Sequence, residues 1–426
     1  MQLQRRHEGE KVSKSYYTRE NCRLCKSRNI EVVLPLAPSP LCDAYVHESA
    51  LGEFQESYPL DLFLCRDCGY VFLPYVVDPE VIYRDYIYVT TSSLGLSDHF
   101  GSYAADVVSK VRPAANALVV DIGSNDGTLL RCFQSRRLRV LGIEPATEIA
   151  RNATDSGVET LAEFFDIKLA ETIVATRGSA AIITINNLFA NIDDLDEITC
   201  GVRTLLAEDG VLVVESSYLA DMIENMVFDF AYHEHLSYFS VKPLARFFAS
   251  FGLELFDLEH VATKGGSLRY YVQKSGGGRE VTAAVTELIA RESRIGLDSP
   301  VIFAEFSRRI AARKNDLVAT LKTLKDNGKI IAGYGASATT TTLIHHFDLG
   351  GYIDCFFDDN PAKQFTFSPG LHIPVFPSSQ LYERRPDYVV VFAWRYSDAI
   401  IRQHQRYLDE GGRFICPLPE LAIVEK

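Results

Sequence analysis

The sequence predicts an α/β protein: a central doubly wound sheet, a small cysteine-bearing module ahead of it, and a second open α/β domain behind it. Three observations predict this. From Ala117 to Glu215, short apolar runs alternate with helical patterns, the rhythm of a mostly parallel sheet covered by helices. A second alternation of the same kind runs from Lys329 to Pro417. Ahead of both, four cysteines stand in two C-x-x-C pairs among prolines and short alternating apolar stretches. A chain of 426 residues has room for two or three such domains.

The elements follow in order. Residues 1–20 are polar, and residues 1–80 together form the cysteine module. A Tyr/Ser/Thr-rich segment, Tyr83 to Ser93, leads to an amphipathic helix from about His99, opening a central domain over 81–275. Its strands fall near 117–122, 138–144, 180–186 and 209–215, with a helix starting near Asp126. Further strands over 253–274 flank the Gly-Gly-Ser of 265–267. Residues 276–426 begin with a long polar-apolar helical stretch, about 280–326, which reads as a linker helix pair. Lys329–Ala338 is then strand, glycine turn and helix start. Three more strands follow, at Tyr352–Phe357, Tyr388–Ala393 and Arg413–Pro417.

Composition narrows the function classes. Charged residues make up 23% and hydrophobic ones 47%, as in ordinary soluble proteins. A net charge of −13 argues against non-specific binding to nucleic acid or anionic membranes, both of which reward a basic surface. No apolar run reaches the ~18 residues that span a bilayer. The polar N-terminus lacks the apolar core of a signal peptide, so a cytoplasmic enzyme is expected.

The most constraining run is Val-Val-Asp-Ile-Gly-Ser-Asn-Asp-Gly-Thr at 119–128, paired with Gly-Ile-Glu-Pro-Ala at 142–146. The first strand ends in Asp121, Gly123 permits a tight turn, and the second strand closes in Glu144. Open α/β sheets bind ligands at the carboxyl ends of their strands, beside this first turn. An acid at the end of the second strand accepts hydrogen bonds from both hydroxyls of a ribose. The turn lacks the G-x-G-x-x-G that brings backbone against a pyrophosphate, so a nucleoside without phosphates fits better than a dinucleotide. The run resembles the first motif of class I methyltransferases, which bind S-adenosylmethionine. That resemblance puts Asp121, Gly123, Ser124, Asp126 and Glu144 at the cofactor. Asn187 and Asn191, after the third strand, are positioned for cofactor or substrate, against a plain helix cap at Asp193 or Asp194.

Cys22-x2-Cys25 and Cys65-x2-Cys68 each let two thiolates converge on one ion. Four soft ligands leave no open position, which suits structural zinc; redox or core thiols are the alternative. Cys42, between the pairs, reads as core. The densest chemical patch is Tyr-His-Glu-His-Leu-Ser-Tyr-Phe-Ser at 232–240. A base, an acid and a phenol within four residues suit proton abstraction beside a carbonyl, the phenol stabilising the enolate oxygen. In an extended or irregular segment Tyr232, Glu234 and alternate neighbours point the same way. His233 and His235 lack the spacing of a helical zinc motif. Tyr86, Tyr88 and Ser92 offer hydroxyls and flat faces for a sugar or base, unless they are ordinary surface aromatics.

Six motifs occur in order: Cys-x2-Cys…Cys-x2-Cys-Gly, Tyr-x-Tyr-x3-Ser-Ser, Asp-Ile-Gly-Ser-Asn-Asp-Gly, Tyr-x-Glu-His-x3-Phe-Ser, Gly-Gly-Ser-Leu-Arg, and Gly-Tyr-Gly-Ala-Ser-Ala…Asp-Asp-Asn-Pro. Together they resemble the nucleotide-sugar C-methyltransferases of deoxysugar biosynthesis, from about Cys22 to the C-terminus. The resemblance implies a zinc-binding N-terminal domain, a central domain for S-adenosylmethionine, and a Rossmann-like C-terminal domain that helps hold a sugar nucleotide. It implies methylation at carbon 3 of a 4-keto-6-deoxyhexose, with His235 as the catalytic histidine, Glu234 beside it and Tyr232 before it. Two positions depart from the family pattern: Asn191 stands where a histidine is frequent, and Thr339 where a lysine is. The rival readings are a non-catalytic binder of the same ligands, or an O- or N-methyltransferase on a related small molecule.

Overall fold

The structure is a computed structural model describing residues 15–78, 82 and 96–426. The cysteine module is built from β1 (Tyr16–Thr18), β2 (Ile30–Leu34), β3 (Leu62–Cys65), β4 (Val71–Phe72) and β5 (Tyr75–Val77). β1 pairs with β5, and β2, β3 and β4 form an antiparallel sheet.

A helix at Leu96–Val111 leads into the central sheet. That sheet contains β6 (Leu118–Ile122), β7 (Arg139–Ile143), β8 (Thr160–Leu161), β9 (Ala180–Asn186) and β10 (Leu206–Ser217). The chain then gives β11 (Ser237–Tyr238) to the cysteine module, where it pairs antiparallel with β4. It returns as β12 (Leu253–Val261) and β13 (Ser267–Lys274). The central order is β12-β13-β10-β9-β6-β7-β8, with β13 antiparallel to both its neighbours. All five residues of β6 are buried, as expected of a strand covered on both faces. The order reverses between β6 and β9, which opens the crevice at the carboxyl ends of those strands. The helix expected near Asp126 begins at Thr128. The Asp126 carboxylate accepts from the Thr128 amide (3.0 Å) and hydroxyl (2.6 Å) and so closes its first turn.

The predicted helix pair is Ala283–Ile295 and Pro300–Asp326, the second started by Ser299 and a proline in its first turn. The C-terminal sheet holds β14 (Ile331–Tyr334), β15 (Phe356–Asp358), β16 (Val375–Pro377), β17 (Tyr388–Val391), β18 (Arg413–Cys416) and β19 (Ala422–Val424). Its order is β16-β15-β14-β17-β18-β19, parallel except for β19. This domain docks through buried polar contacts. Asp229, fully buried, accepts from Trp394 Nε1 (2.9 Å) and Arg395 (3.1 Å), and Thr342 Oγ1 donates to the Ala231 carbonyl (2.7 Å). No helix among the described residues is long and apolar enough to cross a membrane.

The turn between β12 and β13 depends on Gly266. Its φ is 124°, and a Cβ there would overlap the Asp221 carboxylate, which is itself bonded to His260. Gly266→Ala should therefore cost at least about 2 kcal/mol through backbone strain and overlap together. Thermal unfolding of the variant beside wild type checks this, and an unchanged midpoint contradicts it.

Candidate active site

The crevice is set by one tight turn. Gly123 has φ 76°, its amide and that of Ser124 both donate to the Ile143 carbonyl (2.8 and 3.1 Å), and a Cβ on it would come within 2.6 Å of Leu188. Glu144, nearly buried, accepts from the amides of Asn125 (3.1 Å) and Ala146 (3.0 Å), one per carboxylate oxygen. That leaves lone pairs on both oxygens. Asp121 accepts from Thr184 Oγ1 at 2.6 Å. Burial pushes its pKa to about 7 against that hydrogen bond, and Glu144 adds to the rise. Burial also raises Glu144, offset by its two amides. Around this acidic pair, Ser124 Oγ, Asn191 Oδ1 and both polar atoms of the Asn186 side chain are buried with no hydrogen-bond partner. A site with raised carboxyl pKa values and orphaned polar atoms suits a cationic, polar ligand. S-adenosylmethionine carries a sulfonium, an ammonium and a ribose, so the residues present fit it.

A cleft adjoins the crevice at the ends of β9 and β10 and encloses about 530 Å³, part of it open to solvent. Asn187, Tyr218, Phe230, His235, Tyr238 and Lys264 are among its lining. His235 reaches it through a turn, which overturns the expected alignment of Tyr232 with Glu234. Its amide donates to the Tyr232 carbonyl (2.9 Å), which places the Tyr232 and His235 rings 4.0 Å apart. Tyr232 and His235 therefore share a side, and Glu234 is turned away from the imidazole. His235 Nδ1 lies 2.9 Å from the Phe230 carbonyl. A carbonyl only accepts, so Nδ1 carries the proton and Nε2 keeps its lone pair. Burial lowers the His235 pKa to about 3. The carboxylate of Glu234 instead meets Cys42 Sγ (3.6 Å) and lies in the field of Asp43 and Lys363; burial first, then Asp43, raises it to about 7. His233 is structural: it is buried, packs edge-on to Tyr58, and its Nε2 lies 3.3 Å from the Tyr58 carbonyl.

The four paired cysteines converge. Their sulfurs all lie within 4.8 Å of one another, with Cys22–Cys68 at 3.7 Å and Cys25–Cys65 at 3.5 Å. Thiolates about 2.3 Å from a tetrahedral zinc stand about 3.8 Å apart, so the donor set fits zinc and leaves no open position. Between Cys22 and Cys25, Arg23 is fully buried. It donates to Asp193 (2.8 Å) and to the carbonyls of Leu73 (2.7 Å) and Leu236 (3.0 Å). The helix-cap alternative holds at Asp194, whose side chain accepts from Glu197 (3.1 Å), while Asp193 is taken by Arg23 and Arg19.

Tyr86, Tyr88 and Ser92 lie outside the described residues. Asn191 sits in the short turn after β9, and Thr339 is buried beside Arg395 (3.4 Å). Sequence reasoning missed Asn186, Arg23, Lys264 and Arg395. Asn186 was hidden beside Asn187, and the three cations gave no motif of their own.

The seven-stranded order with one antiparallel strand, and a crevice built on Gly123 and Glu144, define a class I S-adenosylmethionine-dependent methyltransferase. Residues 22–83 match the profile of a candidate zinc-binding domain, 98–258 that of a methyltransferase domain, and 262–419 that of a C-methyltransferase C-terminal domain. The chain is 32% identical over 409 residues to C-methyltransferase NovU of Streptomyces niveus, covering 95% of this chain and 97% of that one. It belongs to the C-methyltransferase family. Among solved structures it is similar to the PH0226 protein of Pyrococcus horikoshii OT3, at 12% identity and TM-score 0.36 over 45% of this chain and 98% of that one. It is also similar to magnesium protoporphyrin IX methyltransferase of Synechocystis PCC 6803, at 12% identity and TM-score 0.34 over 46% and 89%.

Freshly purified protein should hold about one zinc per chain by metal analysis. Cys65→Ala should lose the metal and about 5 °C or more of thermal stability, since a structural metal contributes directly to folding.

Proposed function

We propose that the protein transfers a methyl group to carbon 3 of a nucleotide-linked 4-keto-6-deoxy sugar. The observation that carries this reading is His235: an imidazole with Nδ1 fixed by a backbone carbonyl and Nε2 free, lining a cleft that adjoins the cofactor crevice. On this reading residues 1–80 brace the site through zinc held by Cys22, Cys25, Cys65 and Cys68. Residues 81–275 hold the cofactor, and residues 276–426 hold the nucleotide end of the substrate. Glu144 would hold the ribose of the cofactor beside the Gly123 turn, with Asp121, Ser124, Asp126 and Asn187 completing the residues that would bind it. Asn191, with Tyr86 and Tyr88, is assigned to binding the sugar.

The chemistry follows from the ketone. A 4-keto group acidifies the proton on carbon 3, and His235 Nε2 removes it. The C–H pair becomes the enolate double bond, with charge on oxygen met by the Tyr232 hydroxyl. S-adenosylmethionine, when bound, supplies the methyl group to that carbon. The low pKa of His235 keeps it unprotonated, and so ready as a base, throughout the neutral range. The cleft holds the acceptor beside the crevice, so positioning supplies much of the rate.

Incubation with S-adenosylmethionine and a panel of 4-keto-6-deoxy sugar nucleotides, read by mass spectrometry and NMR, tests the reading. A new carbon-bound methyl at carbon 3 supports it, and methylation only of oxygen or nitrogen overturns it. Glu144→Ala should weaken cofactor binding by about 2–3 kcal/mol, roughly 30- to 150-fold, by calorimetry. His235→Ala should keep cofactor affinity and lose about 100-fold or more in single-turnover methyl transfer. Tyr232→Phe should lose less, because the base remains. Glu234, with its pKa near 7, ionises as pH rises through neutrality. It faces Cys42 and not the imidazole, so Glu234→Gln should cost less than His235→Ala in the same single-turnover assay.

A further inference from the structure

Lys264 has no part in the roles assigned so far. It lies in the turn between β12 and β13 and lines the same cleft as His235. Its φ is 55°, a left-handed conformation that costs a lysine energy and persists only where surrounding structure imposes it. Here the imposing structure is Gly265 and Gly266, both at positive φ, with Gly266 seated against Asp221. The turn thus holds Lys264 at the cleft.

The charged groups facing Lys264 are Glu215 from β10, Glu234 from the catalytic turn and Arg395 from the C-terminal domain, with the His235 imidazole also in its field. Most of these have close partners of their own. Glu215 is bonded to His99 (2.7 Å) and Arg269 (3.0 Å), and Arg395 is paired with Asp229. Glu234 meets Cys42. Among the described residues no hydrogen bond or ion pair takes the Lys264 ammonium. It is an uncommitted cation in a cleft whose base is neutral, and such a pair of groups suits a reaction in which a proton leaves carbon while negative charge gathers on oxygen.

We propose that Lys264 is a further catalytic residue, hydrogen-bonding through its ammonium, alongside the Tyr232 hydroxyl, to the ketone oxygen that becomes the enolate when His235 takes the adjacent proton. The proposal rests on the carbon-methylation reading above. The C–H bond breaks, its proton goes to His235 Nε2, its electron pair forms the C3–C4 double bond, and the carbonyl π pair moves to the oxygen facing Lys264. When the C3–C4 double-bond pair forms the new carbon–methyl bond, the methyl–sulfur bond of the sulfonium donor breaks and leaves its pair on sulfur, the oxygen pair restores the ketone, and His235 releases its proton to solvent. Burial lowers the Lys264 pKa to about 8. The ammonium form is the active one, so rate is retained below about pH 8 and lost as pH rises through it.

The test uses the full-length protein with a 4-keto-6-deoxy sugar nucleotide and reads two reactions: methyl transfer, and cofactor-free exchange of the carbon 3 proton with deuterated solvent. Wild-type exchange should fall on the alkaline side near pH 8. Lys264→Met should lower kcat and exchange together by about 100-fold with unchanged cofactor affinity by calorimetry. Lys264→Arg should recover part of the rate and carry the alkaline limb to higher pH. A Lys264→Met protein with kcat within threefold of wild type, or a limb near pH 8 that persists in Lys264→Arg, overturns the role of Lys264 alone. Should Lys264→Met not fold, the wild-type and Lys264→Arg profiles decide. Absence of both exchange and carbon methylation in wild type, with oxygen or nitrogen methylated instead, overturns the reading beneath it.

Discussion

The active centre depends on a pairing between two parts of the chain far apart in sequence. Ser237 and Tyr238 leave the central domain and add a strand to the cysteine module, opposite Phe72 and Val71. Arg23, between two zinc-ligand positions, closes the joint from the other side by binding the Leu236 carbonyl and Asp193. Leu236 follows His235, and Asp193 lies two residues beyond Asn191. One buried guanidinium therefore ties the metal knuckle to both walls of the cleft. Removing it would leave Asp193 with less countercharge and take the guanidinium's hydrogen bonds from the Leu73 and Leu236 carbonyls, the second of which would keep only the Leu73 amide, a costly change in a buried setting. Burial alone would raise the Asp193 carboxyl; Arg23, Tyr17 and Arg19 hold it below the usual carboxylate range.

The C-terminal domain grips the same segment from the opposite direction. Asp229 receives Trp394 and Arg395, Thr342 binds the Ala231 carbonyl, and Phe230 between them presents the carbonyl that sets the His235 tautomer. The His235 imidazole is thus oriented by main chain whose position is fixed by a neighbouring domain. A carboxylate in that place would hold extra charge against the imidazole, whereas a carbonyl fixes the proton and leaves the ring neutral.

Much of this was legible in the sequence because the strands are buried on both faces and so read as unbroken apolar runs. The crevice was legible for a related reason: Gly123 and Glu144 occupy positions that the sheet's own geometry makes special. The four cysteines announced themselves by spacing. What escaped has equally physical causes. β8, β16 and β19 are two or three residues long, too short to show a period. The 232–235 turn has neither glycine nor proline, so nothing marked it, and the side chains sort as i and i+3 instead of alternating. Arg23 and Lys264 escaped because only tertiary structure tells a buried cation from a solvated one.

The strand that Ser237 and Tyr238 contribute to the cysteine module also bears on when the enzyme comes into being. Its partner β4 was synthesised more than a hundred residues earlier. Contacts that close so large a loop form slowly, because the chain's entropy must be surrendered before the contact repays it. The central sheet is largely a local affair of successive βα units and can take shape as it emerges. The cleft cannot: it waits for the catalytic segment to find the cysteine module and for the last domain to close over Asp229. On this topology the crevice should form before the cleft, and the His235 imidazole should reach its final place only near the end.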